Sequence, residues 1–189
     1  MVVILALCPP EGRGPLALAF AGLPGAGKSE LARRLVQASG WSLLDRDEIR
    51  EQRHPGDAGD AARLDADQHL LRRVAVGLRA GLNLIIDGKS FARARDRFSL
   101  DETVEEAGGR LLWCWLEVPV DIAIARVEAQ GSAHPARDRD AALVGLVAAR
   151  FEPIEGSVWR LDATRHPDEL EHALIRCLAA HLRAMLFEE

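Results

Sequence analysis

Tyrosine is absent from the 189-residue chain, asparagine occurs once, at Asn83, and only two of the 24 basic residues are lysine, Lys28 and Lys89. One asparagine, followed by leucine, leaves no room for an N-K-x-D base-reading segment, which disfavours a switch GTPase. Coding bias toward Arg and Ala explains most of the lysine shortage. A lysine kept in such a chain can still mark a place where a compact ammonium is needed and a planar guanidinium does not fit. The three cysteines, Cys8, Cys114 and Cys177, are odd in number and far apart, so they set neither a disulfide framework nor a zinc spacing. Cys114 lies in an apolar run and reads as a buried thiol, and a reduced, cytoplasmic setting is expected. No HExxH or HxxxH pair exists among the six histidines, which disfavours a histidine metal site. No apolar run approaches the ~20 residues of a membrane span. The apolar start Met1–Cys8 has no basic stretch before it, and Leu7 is bulky where a cleavage site needs a small residue. Residues 1–13 are therefore expected to form a small extra strand or an irregular extension.

What remains is an ordinary globular composition, 48% hydrophobic and 28% charged, with 24 basic against 29 acidic residues and a net charge of −5. One domain over residues 1–189 is expected, long enough to bury a core without disulfides or metal. The acidic balance argues against a protein that lives by non-specific nucleic-acid contact, although a local basic patch is compatible with it.

Short apolar runs alternate with helical patterns, the signature of a parallel α/β sheet. Strands are predicted at 16–21, 41–44, 82–86, 111–118 and 158–161. Helices are predicted at 28–38, 61–80 (carrying Leu64, Leu71, Ala75 and Leu78), 92–107, 119–130, 141–151 and 167–186. A polar turn over 45–50 leads into one more helix, and 131–140 reads as a loop.

Gly22-Leu23-Pro24-Gly25-Ala26-Gly27-Lys28-Ser29 matches G-x-x-x-x-G-K-S in full, with a predicted strand before it and a helix after it. Glycines let backbone N–H groups turn toward phosphate oxygens, and the helix start adds its positive dipole end. Lys28 is placed to reach the β- and γ-phosphates and the Ser29 hydroxyl to ligate Mg²⁺. The absence of the base-reading segment, the small size and an arginine-bearing loop point to a kinase of a small acceptor. Asp45-Arg46-Asp47-Glu48-Ile49-Arg50 follows the second strand, where an open α/β sheet keeps its binding crevice. Asp47 is the expected base for the attacking hydroxyl, with Asp45 second, and Arg50 can clamp an anionic group on the acceptor. The plainer alternative is an Asp helix cap with a surface arginine. Asp87-Gly88-Lys89-Ser90 ends the third strand. Asp87 can hold the Mg²⁺ shell or bond the acceptor, and Lys89 and Arg93 are candidate acceptor ligands, against the alternative of a solvated edge. The 131–140 loop, with His134, Arg137 and Arg139, reads as a lid. Arg139 is favoured to act on the transferring phosphoryl, followed by Arg137 and Arg126.

Taken together, Gly22–Ser29, Arg46–Arg50, Ile86-Asp87-Gly88 and the Arg126, Arg137 and Arg139 group resemble the P-loop kinases related to polynucleotide 5′-hydroxyl kinase, within the AAA-type ATP-binding proteins. Gluconate kinase and adenylylsulfate kinase are more distant relatives. The resemblance runs from about Leu16 to Leu186. It implies a P-loop NTPase three-layer α/β sandwich, a five-stranded parallel sheet in the order 2-3-1-4-5 with a small arginine lid, and ATP and Mg²⁺ as cofactors. It also implies that Arg46–Arg50, matching the family's R-D-D-x-R segment, supplies the base, Asp47, and the arginine for an acceptor phosphate, Arg50. Glu30 departs from the usual residue after the loop serine, and no appended repair domain is expected. The expected activity is transfer of the γ-phosphoryl of ATP to a hydroxyl of a small molecule. A polynucleotide 5′-hydroxyl kinase is disfavoured by net charge, and an ATP-binding regulatory module without an acceptor is the reading from another class. Neither the acceptor nor the oligomeric state is fixed by the sequence.

Overall fold

The structure is a computed structural model that describes residues 7–130 and 140–187. Along the chain the elements are β1 (Leu16–Gly22), α1 (Lys28–Ser39), β2 (Ser42–Asp45), α2 (Arg46–Arg53), α3 (Asp60–Arg79), β3 (Leu84–Asp87), α4 (Ala94–Glu106), β4 (Arg110–Glu117), α5 (Val120–Gln130), α6 (Ala141–Ala149), β5 (Val158–Asp162) and α7 (Pro167–Met185). The five strands form one sheet in the order β2-β3-β1-β4-β5, with every neighbouring pair parallel. This is the P-loop NTPase α/β fold and the strand order the resemblance implies.

β1 is buried on both faces, and its alternation assigns each face a partner. Leu16, Leu18 and Phe20 join Leu31 and Leu35 of α1 and Leu174 and Leu178 of α7. Ala17, Ala19 and Ala21 face the other way, where Leu70 and Val74 of α3 and Leu100 of α4 lie. The small side chains on that face let those helices sit close to the sheet. A third cluster, from Leu23, Ala123, Val127 and Val144, packs α5 and α6 behind the Gly22–Ser29 loop.

Several sequence expectations shift. The buried stripe of α3 is Ala62, Ala66, Leu70, Val74 and Leu78, and Leu64 lies outside it, 60% exposed. β3 begins at Leu84 because Leu82 closes the turn after α3, its N–H donating to the Gly77 carbonyl at 3.0 Å. There is no intervening turn between β2 and α2, since Asp45 ends the strand and caps the helix. No regular element forms over residues 7–13, yet Leu7 is buried and its carbonyl accepts from Trp41 Nε1 at 2.6 Å. Residues 1–6 and the expected lid, including His134, Arg137 and Arg139, lie outside the described residues. Asp140, at the lid's end, caps α6 by accepting from Leu143 N at 2.7 Å. Among the described residues no helix is long and apolar enough to cross a membrane.

Candidate active site

The Gly22–Ser29 loop joins the carboxyl end of β1 to α1 in the centre of the sheet. Gly22, Gly25 and Gly27 have φ of 143°, 84° and 90°. A side chain at Gly22 would run into the Leu116 carbonyl and one at Gly25 into the Ala123 carbonyl. Glycine is thus required at both by the close approach of β4 and α5. Gly27 caps α1 without a side-chain hydrogen bond, so the first N–H groups of the helix have no side chain closing them. Lys28 is buried and folds back over the loop, its Nζ donating to the carbonyls of Gly22 and Leu23 at 2.9 Å each. A phosphate entering the loop would offer these donors a charged acceptor instead. Ser29 is in the first turn of α1.

Beside this loop two carboxylates end adjacent strands. Asp45 and Asp87 are register partners across β2 and β3. Asp87 is 1% exposed, and neither of its carboxylate oxygens has a hydrogen-bond partner among the described residues. Asp45 accepts from Asp47 N at 2.8 Å and Glu48 N at 3.2 Å as the cap of α2. Burial, and then the neighbouring Asp87 charge, push its carboxyl up to about 6 despite those two hydrogen bonds. Gly88, at φ 83°, makes the arrangement possible, because a side chain there would overlap Asp45 Oδ1 and the backbone nitrogens of Arg46 and Asp47. The Gly22 N–H donates to the Ser90 carbonyl at 3.1 Å and ties the segment after β3 to the phosphate loop.

These elements wall a cleft of about 320 Å³ lined by Pro24, Lys28, Asp47, Arg50, Gly88, Lys89 and Arg93 together with Arg46, Asp60, Arg63, Asp67, Ser90, Ala92, Arg95, Asp96, Leu143, Val147 and Arg150. Asp47 and Arg50, one turn apart on α2, are both buried. Asp47 Oδ1 accepts from Arg46 Nη1 at 3.2 Å. Arg46 is in turn fixed through Nε to Asp67 Oδ1 at 2.8 Å, and the other oxygen of Asp67 accepts from Lys89 Nζ at 2.7 Å. Lys89 also lies 3.5 Å from Asp96. The second lysine is therefore at the cleft wall, on the same cleft as Lys28.

The structure brings together Lys28, Asp47, Arg50, Lys89 and Arg93 around one cleft, with Asp45 and Asp87 at adjoining strand ends. Arg126, on α5, points its Nη1 toward the Gly25 carbonyl at 3.5 Å, against the phosphate loop. The catalytic assignment of Arg139 and the nucleotide assignment of Arg137 lie outside the described residues. Sequence reasoning misses Asp67, Asp96, Arg63 and Arg150 as cleft residues. On α3, Asp67 has the look of one charge on a solvated helix face, and only its two cationic partners from other segments reveal its place. Arg97, which reads as one of three arginines on a charged helix, is buried and donates to four carbonyls instead.

Comparison with known proteins agrees with this geometry. Residues 18–154 match the AAA domain family. A shikimate kinase of Gloeobacter violaceus is 26% identical over 178 residues, covering 88% of the chain and 94% of that protein. Among solved structures, a putative kinase of Chloroflexus aurantiacus superposes with a TM-score of 0.74 at 22% identity, covering 92% of this chain and 98% of that one. A gluconokinase of Sinorhizobium meliloti does so with a TM-score of 0.68 at 17% identity, over 93% and 98% of the two chains.

Proposed function

The chain belongs to the AAA domain family, and on that footing we propose that it is an ATP-dependent kinase that transfers the γ-phosphoryl group to a hydroxyl of a small-molecule acceptor. The observation that carries the reading is the placing of Lys28 and the buried Asp47 on one cleft, phosphate loop on one side and carboxylate on the other. A cleft of about 320 Å³ is at the small end of ligand sites, which suits a metabolite. The similar shikimate kinase and gluconokinase support the same class of reaction.

In this reading Gly22–Ser29 bind the triphosphate, and Lys28 moves from its two carbonyls onto phosphate oxygens. Asp47 receives the hydroxyl proton, or orients it, as the oxygen meets the phosphorus. Arg46 donates to one oxygen of Asp47 and holds the carboxylate at the cleft. Arg50, Lys89 and Arg93 hold the acceptor. Arg126, Arg137 and Arg139 are assigned to the nucleotide phosphates, with Arg139 acting on the transferring group. The residues present fit a divalent cation. Asp87 brings two buried oxygens that no donor among the described residues satisfies, and Asp45 lies beside it with a carboxyl made hard to ionise by burial and then by that neighbour. With the Ser29 hydroxyl they would hold Mg²⁺, which neutralises phosphate charge when bound. We take residues 1–189 as one kinase domain. A cytoplasmic location belongs to the same reading, since ATP supply and three free thiols fit a reducing compartment.

The test is a screen of radiolabelled ATP transfer over sugars, hydroxy acids, nucleosides and oligonucleotides, run with wild type and Asp47→Asn. Transfer to a small molecule that falls roughly 10²–10⁴-fold in the variant, with ATP binding retained, is expected. Labelling of oligonucleotide 5′ ends alone would replace the small-molecule reading. Transfer undiminished in Asp47→Asn would remove the base assignment.

A further inference from the structure

The bond from Arg46 Nη1 to Asp47 Oδ1, at 3.2 Å, joins consecutive residues of α2. Neighbours one position apart on a helix point about 100° away from each other, so helical spacing alone does not make them meet. A group outside α2 must bring the guanidinium round, and α3 supplies it. Arg46 Nε donates to Asp67 Oδ1 at 2.8 Å, and Nη2 to the Arg63 carbonyl at 3.1 Å. All three guanidinium nitrogens are thus engaged, one on the proposed base and two on α3. Of the two anchors on α3, Asp67 is the charged one, and charge-assisted bonds are the stronger kind.

Asp67 is itself held. Its Oδ2 accepts from Lys89 Nζ at 2.7 Å, and that ammonium lies 3.5 Å from Asp96 of α4 and 5.8 Å from the centroid of the Phe91 ring. Phe91 is buried and meets Trp113 of β4 edge-on, with ring centroids 5.1 Å apart. Charges of alternating sign therefore run Asp47, Arg46, Asp67, Lys89, Asp96, from α2 through α3 to α4, and the chain is seated on the core. Asp67 shares a helical face with Asp60 and Arg63, which line the same cleft beside the buried stripe of Ala62, Ala66 and Leu70. The Asp67 side chain is 28% exposed, so its ion pairs add little to stability. Their larger effect is on the place of the Asp47 carboxylate, because a misplacement of about 1 Å at a reacting group costs roughly 10²-fold in rate.

We infer that Asp67 is a positioning residue for phosphoryl transfer, acting through Arg46 to hold Asp47 where the reacting hydroxyl arrives, with Lys89 holding Asp67 in turn. The inference rests on the kinase reading, in which Asp47 is the base. It adds a residue of α3 that acts on the reaction without meeting either reactant.

Kinetics of single and double variants test it. Transfer from radiolabelled ATP is followed to the compound that takes most label in the screen, and to water as released phosphate. Asp67→Ala is expected to lower kcat about 10–100-fold, with KM for ATP and the melting temperature near those of wild type. Made in Asp47→Asn, the same replacement is expected to cost less than about twofold, because its route of action is already gone. Asp67→Asn keeps one oxygen for Arg46 and is expected to lose less than the alanine variant, and it carries the comparison should alanine unfold the chain. A fall of equal size in both backgrounds would overturn the inference, since Asp67 would then support the fold or meet a reactant itself. Full activity in Asp67→Ala, or a loss confined to KM, would overturn it too. Each of these results leaves the kinase reading standing. Absence of transfer to every acceptor and to water in wild type would remove the kinase reading and this inference with it.

Discussion

At the residue scale, Asp45 carries two duties that pull against each other. As the cap of α2 it accepts two backbone N–H groups, and as the neighbour of Asp87 it is a charge facing a charge in a buried place. The second effect wins, and its carboxyl is pushed up to about 6 from an ordinary 3.8. A carboxyl that holds its proton more tightly when folded makes the folded state bind more protons than the unfolded one between those values. Its contribution to stability is therefore fully present below about pH 4 and is lost as pH rises toward about 6. Asparagine at this position keeps the cap and removes the titration. Asp45→Asn is accordingly expected to be more stable than wild type at pH 7.5 by on the order of 1–2 kcal/mol, with the gap closing as the pH is lowered to 4. Urea denaturation at several pH values measures it, and a gap that widens toward acid would contradict the assignment. On the proposed reading, Mg²⁺ with ATP should narrow the gap at pH 7.5, because a cation held by these carboxylates would offset their charge in wild type. The sequence shows both carboxylates as polar residues past strand ends. It does not show that they face each other, because that depends on the register of two strands some forty positions apart in the chain.

At the element scale, the side of the cleft proposed for the acceptor is made by the turn from Asp87 to Arg93 pressing on the start of α2. Gly88 is the point of closest approach, and alanine there would drive α2 away from β3. Gly81 supplies the comparison, with a similar φ of 77° against 83° and nothing within 4 Å of an added carbon. Gly81→Ala carries the conformational strain alone, about 1 kcal/mol. Gly88→Ala carries strain and overlap together and is expected to lose about 2 kcal/mol or more, along with most of its transfer activity. Equal losses in the two variants would mean that α2 yields freely and that its position is not set by this contact. Most elements are legible from the chain, because period-two runs and stripes such as Leu170, Leu174, Leu178, Leu182 and Met185 in α7 record which faces are buried. The α4 arginines are not legible in that way. Arg93, Arg95 and Arg97 alternate along one stretch, yet the half-buried Arg93 and the exposed Arg95 line the cleft, while Arg97 is buried on four carbonyls, two of them more than fifty residues away. Helical spacing sets the direction of a side chain, and the segment it meets decides what that direction means.

At the scale of the whole molecule, charge is segregated: the chain is acidic as a whole, and its cleft is cationic. Net charge is a sum over the surface and is blind to such a division, which is why the composition alone argues against anionic partners while the cleft favours them. The segregation makes the empty protein less stable than the loaded one, because cations gathered on one cleft repel until an anion arrives. Nucleotide binding should then act on the entire fold, since the phosphate loop sits at the end of the central strand and is packed by Leu116 of β4 and Ala123 of α5. With Mg²⁺ and AMP-PNP at about a hundred times the Kd, the expected stabilisation is about 2.7 kcal/mol. For a chain of this size that raises Tm by roughly 5–10 °C. Lys28→Met should abolish most of the rise, because in the proposed reading the ammonium is the charge the loop offers to the outer phosphates. The variant's own Tm must be read first, since Lys28 also donates to the Gly22 and Leu23 carbonyls, and methionine leaves both without that donor. The deciding quantity is the difference between loaded and empty Tm within each protein. A difference near zero in wild type would remove nucleotide from the account of the cleft, whereas a difference preserved in Lys28→Met would place the nucleotide elsewhere on the molecule.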